Sequence, residues 1–300
     1  MGTTRAVHGA DGRTDGRVSR NRKTREDVVV QKLYGLMIAR DEDDIIEQNI
    51  EHALKYCDKI IALDHMSSDE TWAKMQQLES RTKGRVVAHR RLEVPFSDGL
   101  RAVGYNAFHR ELSKDDWWMR LDADEFVNED PHDAMARASQ EGADFIRGNM
   151  VNFDVTDRDL ADIESGRDAR STSIELRRRY YRVNWREYRL FRNDPDVVWD
   201  VAVDRNFPQN LFYKRRGSKE LFFRHYGDRD VAQMTKRIAK RIGSAEFPHV
   251  QEAEWRKYVK PARRYHYHTP GRPIRYNPLI DFWPRRLWLE VKRRATGAAK

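Results

Sequence analysis

The stretch "DDWWMRLDADEFV", Asp115 to Val127, sets Asp122 and Asp124 two residues apart at the end of an apolar run. In an extended backbone, side chains at i and i+2 point to the same face, so two anions would stand side by side. Each would raise the other's pKa unless a cation lay between them. A hard divalent ion, Mn²⁺ or Mg²⁺, takes one or two carboxylates and completes its shell with water and substrate phosphates. Such an ion would neutralise charge building on a departing diphosphate. The chemistry this predicts is transfer of a group away from a nucleoside diphosphate.

The elements needed to position these carboxylates are legible around them. "LYGLMIA" (33–39) is a continuous apolar run ended by the charged "RDEDD", the mark of a buried strand. In "DDIIEQNIEHALKYC", Ile46, Ile50, Ala53, Leu54 and Cys57 recur at helical spacing. "KIIAL" reads as a second strand, and Ser67 with Glu70 as a capping box opening a helix. "RVVAH", "FSDGLRAVGYNAFHREL" and "WWMRL" then read as strand, helix and strand. Alternation of this kind predicts an α/β fold over about residues 30 to 150, with a mostly parallel central sheet and helices on both faces. Ligands bind such sheets beyond the carboxyl ends of the strands. There the chain supplies Arg40-Asp41-Glu42, Asp64, and Asp122 with Asp124. Neither G-x-G-x-x-G nor G-x-x-x-x-G-K-[ST] occurs, which argues against a dinucleotide dehydrogenase and a P-loop kinase.

Past residue 153 the alternation dissolves. Residues 154–187 are highly charged without an apolar period, and are expected to form a loop or lid. "YRLFR", "VVWDVAV" and "KELFFRHY" are strand-like, and "DVAQMTKRIAKRIGSAE" reads as a helix capped by Asp230. A single cysteine, Cys57, excludes an internal disulfide and a cysteine-built zinc site, which suits a reducing, cytoplasmic setting. No run approaches the roughly 20 apolar residues of a membrane span. The start lacks an apolar secretory core and carries Ala6 where a myristoylation signal needs Ser or Thr, so residues 1–30 are expected to be a flexible arm. The net charge of +9 predicts attraction to anions.

"LMIARDEDDI", "IIALDHMSSDET" and "MRLDADEF" resemble, in order and spacing, three landmarks of family 2 glycosyltransferases with the GT-A fold. These are an acidic step after the first strand, an Asp with a Ser-rich Asp-x-Thr loop after the second, and the D-x-D motif after the fourth. The likeness covers residues 33–127 best. It implies a GT-A catalytic domain over 31–250, divided into a nucleotide-sugar half (31–127) and an acceptor half (128–250). It also implies that Glu42 and Asp64 contact the nucleoside, that Asp69 shapes that pocket, and that Asp122 and Asp124 hold the metal and the sugar diphosphate. "FFRHYG" looks like the family segment that supplies a histidine near the metal, which makes His225 a candidate ligand; Arg101 would approach the diphosphate. Family members of this type invert the anomeric centre with a carboxylate base. Asp200 and Asp204, on one face of a predicted strand, are the candidates. Trp199 stands where relatives carry a tryptophan followed by a His-Glu pair, and that pair is absent here. Partners implied are a nucleotide-sugar donor and a glycan or lipid-linked acceptor, in the setting of bacterial surface glycan synthesis.

Two other readings use the same residues. A nucleotidyltransferase would employ the same carboxylates but release diphosphate. A non-enzymatic basic binding protein would leave Asp122 and Asp124 replaceable and bind nucleic acid with steep salt dependence. The plain alternatives are a dipole-complementing charge for Glu42, a helix-opening residue for Asp69, a solvated cation for Arg101 and arginine pairing for Asp200 and Asp204. Residues 251–300 form a basic aromatic extension. Between Trp255 and Lys300 thirteen Lys or Arg face two acids, Asp281 and Glu290, with Trp283, Leu287 and Trp288 interleaved. That pattern suits an anionic membrane face better than nucleic acid. Deleting residues 279–300 is expected to abolish sedimentation with anionic liposomes; equal sedimentation without them rules out membrane docking by the tail.

Overall fold

The computed structural model describes residues 31–211, 214–243, 250–277 and 281. The expected N-terminal arm and the tail residues Trp283, Leu287 and Trp288 lie outside them. Among the described residues nine strands form one sheet: β1 (Leu33–Ala39), β2 (Lys59–His65), β3 (Val86–Leu92), β4 (Trp117–Leu121), β5 (Glu125–Val127), β6 (Phe145–Phe153), β7 (Tyr180–Arg192), β8 (Leu221–His225) and β9 (His266–Tyr267). Their order is β3-β2-β1-β4-β7-β6-β8-β5, with β9 beside β7.

Alternate residues of β1 explain why its run is apolar throughout. Leu33, Met37 and Ala39 pack with α1 (Ile46–Ala53), α2 (Thr71–Arg81) and α4 (His132–Gln140) on one face. Tyr34 and Leu36 pack with α3 (Ala102–Phe108) and Trp199 on the other. Burying each such side chain contributes about 1.5–3 kcal/mol, so the two faces must both be covered. Helices therefore lie on both sides of a mixed α/β sheet, as the alternation predicts. β1 to β4 pair in parallel, and antiparallel pairing enters where β7 joins β4 and β6. Because β6 opposes β7 and runs parallel with β8, β6 and β8 point the same way as β1 to β4. The carboxyl ends of six strands consequently share one edge.

The sheet is also obliged to curl. Four pairings separate β4 from β5, about 19 Å across a flat sheet. Only residues 122–124 join these strands, and four Cα steps reach at most about 15 Å. The D-x-D segment thus bridges the curl, leaving β4 and re-entering the sheet beside β8.

Three local expectations come out differently. α2 begins at Thr71 without a capping box, because the Ser67 hydroxyl accepts the Asp41 N–H (3.0 Å) instead. Asp69 opens the helix, its carboxylate accepting from the N–H (3.0 Å) and hydroxyl (2.5 Å) of Thr71. Within 154–187 the chain forms α5 (Leu160–Glu164), α6 (Ile174–Arg177) and the first half of β7, whose half-buried Arg182 and exposed Arg186 mask its strand character in the sequence. "VVWDVAV" is not a strand: both edges of β4 are occupied, and the segment is instead pinned as a loop. Asn106 holds the backbone of buried Trp199, accepting its N–H and donating to its C=O at 2.8 Å each. The helix capped by Asp230 forms as expected as α7 (Val231–Arg241), with Gln233 N–H on the Asp230 carboxylate (2.9 Å).

Gly99, in a 3-10 turn (Asp98–Arg101), brings this loop against the sheet edge. A Cβ there would lie 2.5 Å from the carbonyl oxygens of both Val201 and Val203. Backbone cannot yield as a side-chain tip can, so Gly99→Ala is expected to cost about 1–3 kcal/mol of stability, read by urea denaturation.

Candidate active site

The cations that separate the strand-end acids are arginines. Asp122 accepts from Arg101 Nη2 (2.5 Å), Arg120 Nη2 (3.0 Å) and Arg189 Nη1 (3.0 Å). Arg101 comes from the turn after β3 and also donates to Asp98 (2.9 Å) and Asn206 (3.2 Å). Arg120 precedes Asp122 on the same strand face and reaches Glu187 (2.5 Å). Arg189, fully buried on β7, also touches Glu125 and Glu187. Burial would raise the Asp122 pKa, but Arg120, Arg101 and Arg189 hold it well below the usual carboxylate range. Both oxygens of Asp122, expected as a metal ligand, are engaged by guanidinium groups in this arrangement.

Asp124 has different company. The register pairs Glu125 with His225 across β5 and β8, and Tyr226 N–H donates to the Asp124 carbonyl (2.8 Å). His225 Nε2 then lies 3.3 Å from the Asp124 carboxylate. One ligand atom from each of Asp124, Glu125 and His225 falls within 4.8 Å of the others. His225 Nδ1 sits 2.6 Å from Asn152 Oδ1, to which it donates, so the Nε2 lone pair is directed at Asp124 when the ring is neutral. Two carboxylates and an imidazole so oriented fit Mn²⁺ or Mg²⁺, Mn²⁺ being more tolerant of nitrogen. Burial opposes ionisation of Asp124, yet His225 and Arg229 bring its pKa down to about 2. Burial lifts Glu125 to about 7, helped by Asp122 and opposed by Arg189. Burial also opposes a charge on His225, but the Asp124 carboxylate raises its pKa above the ordinary value.

Arg229, fully buried after β8, gathers the acids of the β1 loop. It meets Asp44 through Nε (2.7 Å) and Nη2 (2.9 Å), Glu42 through Nη2 (2.5 Å), and approaches Asp124 (3.7 Å). Burial raises Glu42 to about 8, against the pull of Arg229 and with the push of Asp124 and Asp44.

Glu42, Arg101, Asp122 and Asp124 line one cavity of about 640 Å³. Its opposite wall is α7, which presents Lys236, Arg237 and Lys240. Asp41 anchors that wall, taking Lys236 at 3.4 Å and Lys240 in closer contact. Its backbone lies in the left-handed region (φ 56°), where the carboxylate also accepts from Ser68 N–H (2.7 Å) and hydroxyl (2.9 Å). An acidic and arginine-rich floor thus faces a basic wall.

The remaining predicted residues lie around this cavity rather than in its lining. Asp64 is completely buried; Arg91 Nε (3.3 Å) and Ser67 N–H (3.2 Å) meet one oxygen and the other has no protein partner. Asp69 shapes the start of α2 and has Lys236 at 3.9 Å. Asp200 is exposed and closes its own turn by accepting Ala202 N–H (2.9 Å). Asp204 accepts the N–H of Asp98 (2.7 Å), whose residue does line the cavity. Since their segment is a loop, the shared strand face predicted for Asp200 and Asp204 does not form.

Sequence reasoning missed Arg120, Arg189, Arg229, Glu125 and the α7 cations. Arg120 left a usable signal: an arginine inside the buried run "WWMRL", two residues before Asp122, requires an anionic partner on its own face.

No protein-family model matches the chain, and no curated protein is recognisably similar in sequence. Similar solved structures include S. aureus TarS 1–349 in complex with UDP, 12% identical with TM-score 0.39, covering 72% of this chain and 67% of that one. Another is the mannosyltransferase PcManGT from Pyrobaculum calidifontis in complex with GDP-Man and Mn²⁺, 12% identical with TM-score 0.42, covering 76% and 70%. A third is GalNAc-T7 with UDP, GalNAc and Mn²⁺, 10% identical with TM-score 0.39; the match covers 79% of this chain but 56% of GalNAc-T7.

Proposed function

We propose that the chain is a divalent-metal-dependent glycosyltransferase of GT-A type, moving a sugar from a nucleoside diphosphate to an acceptor hydroxyl with inversion. The observation that carries this reading is a cavity in which the basic face of α7 lines the same space as Glu42, Asp122 and Asp124, with the Asp124–Glu125–His225 group beside it. At about 640 Å³ the space is of the size that small-molecule sites occupy.

The diphosphate lies between the wall and the floor, its oxygens taken by Lys236, Arg237 and Lys240, with Arg101 held toward it by Asp122. Asp122 is a positioning residue in this scheme. Glu42 receives the ribose, and Asp64, buried behind the cavity, supports the nucleoside side of the pocket through Ser67 and Arg91. Asp69 sets the start of α2 and approaches Lys236. Asp124, Glu125 and His225 would hold Mn²⁺ or Mg²⁺, which supplies further neutralisation of the leaving diphosphate. The acceptor hydroxyl, on a glycan or lipid-linked glycan, passes its proton to a carboxylate as its oxygen bonds the anomeric carbon and the diphosphate departs with the bonding electrons. Asp204, beside the cavity-lining Asp98, is assigned that role over Asp200.

Calorimetric titration of UDP, GDP, dTDP and CDP with Mn²⁺ present is expected to show one or more binding. Replacing both Lys236 and Lys240 by Ala removes charge-assisted hydrogen bonds worth about 1.5–3 kcal/mol each, so affinity should fall at least about tenfold. If no diphosphate binds, the glycosyltransferase reading fails; release of inorganic diphosphate from a nucleoside triphosphate would favour nucleotidyl transfer instead.

Metal binding should report the titration of His225. Its raised pKa means that a proton must leave Nε2 before the ring can coordinate, so Mn²⁺ affinity rises with pH until His225 is neutral, at a pH above its ordinary value near 6.5. Glu125, lifted to about 7, must shed a proton as well, so electron paramagnetic resonance of Mn²⁺ is expected to show a dependence steeper than about tenfold per pH unit on the acidic side, reduced to the Glu125 contribution in His225→Gln. An unchanged slope in that variant removes His225 from the metal site.

A further inference from the structure

A second cavity of about 500 Å³ shares no lining residue with the first. It lies behind the β5–β8 ribbon. Glu125 and His225 face the metal group, while their strand neighbours Phe126 and Arg224, paired in register, and Tyr226 line the space on the opposite face. α1 contributes His52 to its rim and the turn after α1 contributes Lys55, while Ser173 and the first residue of α6, Ile174, close it. Part of the 154–187 segment thus covers this space.

The polar groups around the cavity are unevenly spent. Its acceptors are taken: Glu175 receives Arg224 (2.7 Å), Glu51 receives Arg81 (2.6 Å), and the Gln48 side-chain oxygen accepts Ile174 N–H (3.2 Å). Its donors are not. Arg224, 8% exposed, has an Nε–H without an acceptor, and the Tyr226 hydroxyl, in a residue with no exposed surface, has only the Arg224 side chain beside it. The Lys55 ammonium meets no acid or acceptor among the described residues. Within the lining the cations Lys55 and Arg224 match the acids Glu51 and Glu175 in number, and both acids are already engaged, by Arg81 and Arg224, so the unspent charge is that of Lys55. Phe126, Ile174 and Tyr226 supply an apolar wall on which a ring can lie. Buried donors without partners cost free energy that an acceptor-rich ligand recovers.

We propose that this cavity is a separate binding site for a small saccharide carrying one anionic group, phosphate or carboxylate. The anion meets Lys55 and the Arg224–Tyr226 corner, and the ring packs on Phe126 and Ile174 with Ser173 and Gln48 at its hydroxyls. The site stands independently of the reading given to the first cavity.

The test is calorimetric titration of the full chain with glucose 1-phosphate, glucuronate, glucose and inorganic phosphate. Both acidic sugars, or one of them, should bind, and neutral glucose at least about tenfold more weakly. Which of the two binds identifies the anion. Lys55→Ala should weaken binding at least about tenfold, whereas the double change Lys236→Ala and Lys240→Ala, which strips the first cavity, should leave it intact. Lys55 is exposed, so its removal does not threaten folding; Arg224→Gln, checked by circular dichroism, gives a second reading of the same corner. The proposal is overturned if neither acidic sugar binds, if binding survives Lys55→Ala, if inorganic phosphate alone binds as well as the sugars, or if the loss follows Lys236 and Lys240.

Discussion

The fully buried guanidinium of Arg189 is the constraint from which the site follows. It stands inside the curl, in contact with Asp122 from the end of β4, Glu125 from β5 and Glu187 from its own strand. Taking one charge out of water costs several kcal/mol, and removing a single partner from such a group typically costs about 3–5 kcal/mol. Charged residues so placed are therefore poor sources of stability compared with well-packed apolar ones. Their return is geometric: the arginine ties Asp122, where the three-residue bridge leaves β4, and Glu125, where it enters β5, to β7, the strand that pairs with β4. Gly148 makes room for it, since a Cβ there would come within 2.7 Å of the Arg189 stem.

Two arginine centres divide the acids between them. Arg101, Arg120 and Arg189 compensate Asp122, and Arg229 compensates Glu42 and Asp44 while leaving Asp124 the more distant partner. Like-charged carboxylates can consequently crowd one sheet edge with no metal present. The outcome is uneven by residue: Asp122 is firmly ionised, whereas burial leaves Glu125 near 7 and Glu42 near 8. A divalent ion arriving beside Asp124 would meet one fixed anion, one carboxyl close to neutrality and an imidazole oriented by Asn152.

The first half of the fold was legible because its chemistry is local. Apolar runs at 33–39, 59–63 and 117–121 are buried on both faces, so no polar alternation obscures them, and the acids after each run mark the binding edge. β7 was illegible for the opposite reason. Arg182, Arg186 and Arg189 resemble solvated charge in one dimension, and only the curl turns Arg189 inward. Asp200 and Asp204 were assigned to a strand from β-branched neighbours, but Trp199 docks into the α3 side and Asn106 fixes its backbone, so tertiary packing overrides propensity. His225 was recognised by likeness, while Glu125 escaped notice because its role depends on a cross-strand register. Lys236 and Lys240 fell inside a helix legible from the sequence, but nothing there says that Asp41, almost two hundred residues earlier, would receive them.

The bridge across the curl bears on how the chain can be divided. β5 ends at Val127, where the nucleotide-side half of the sequence would stop, yet its hydrogen-bonding partner is β8, nearly a hundred residues later. A fragment ending there carries an unpaired strand, and a fragment beginning after it exposes the edge of β8 that β5 should cover. Neither half is a foldable inheritance in its own right. A permuted chain with termini placed between Asp122 and Asp124 would keep every residue and lose the tether that fixes the ring's circumference. A single residue added to this bridge would loosen the closure that brings Asp124 to His225.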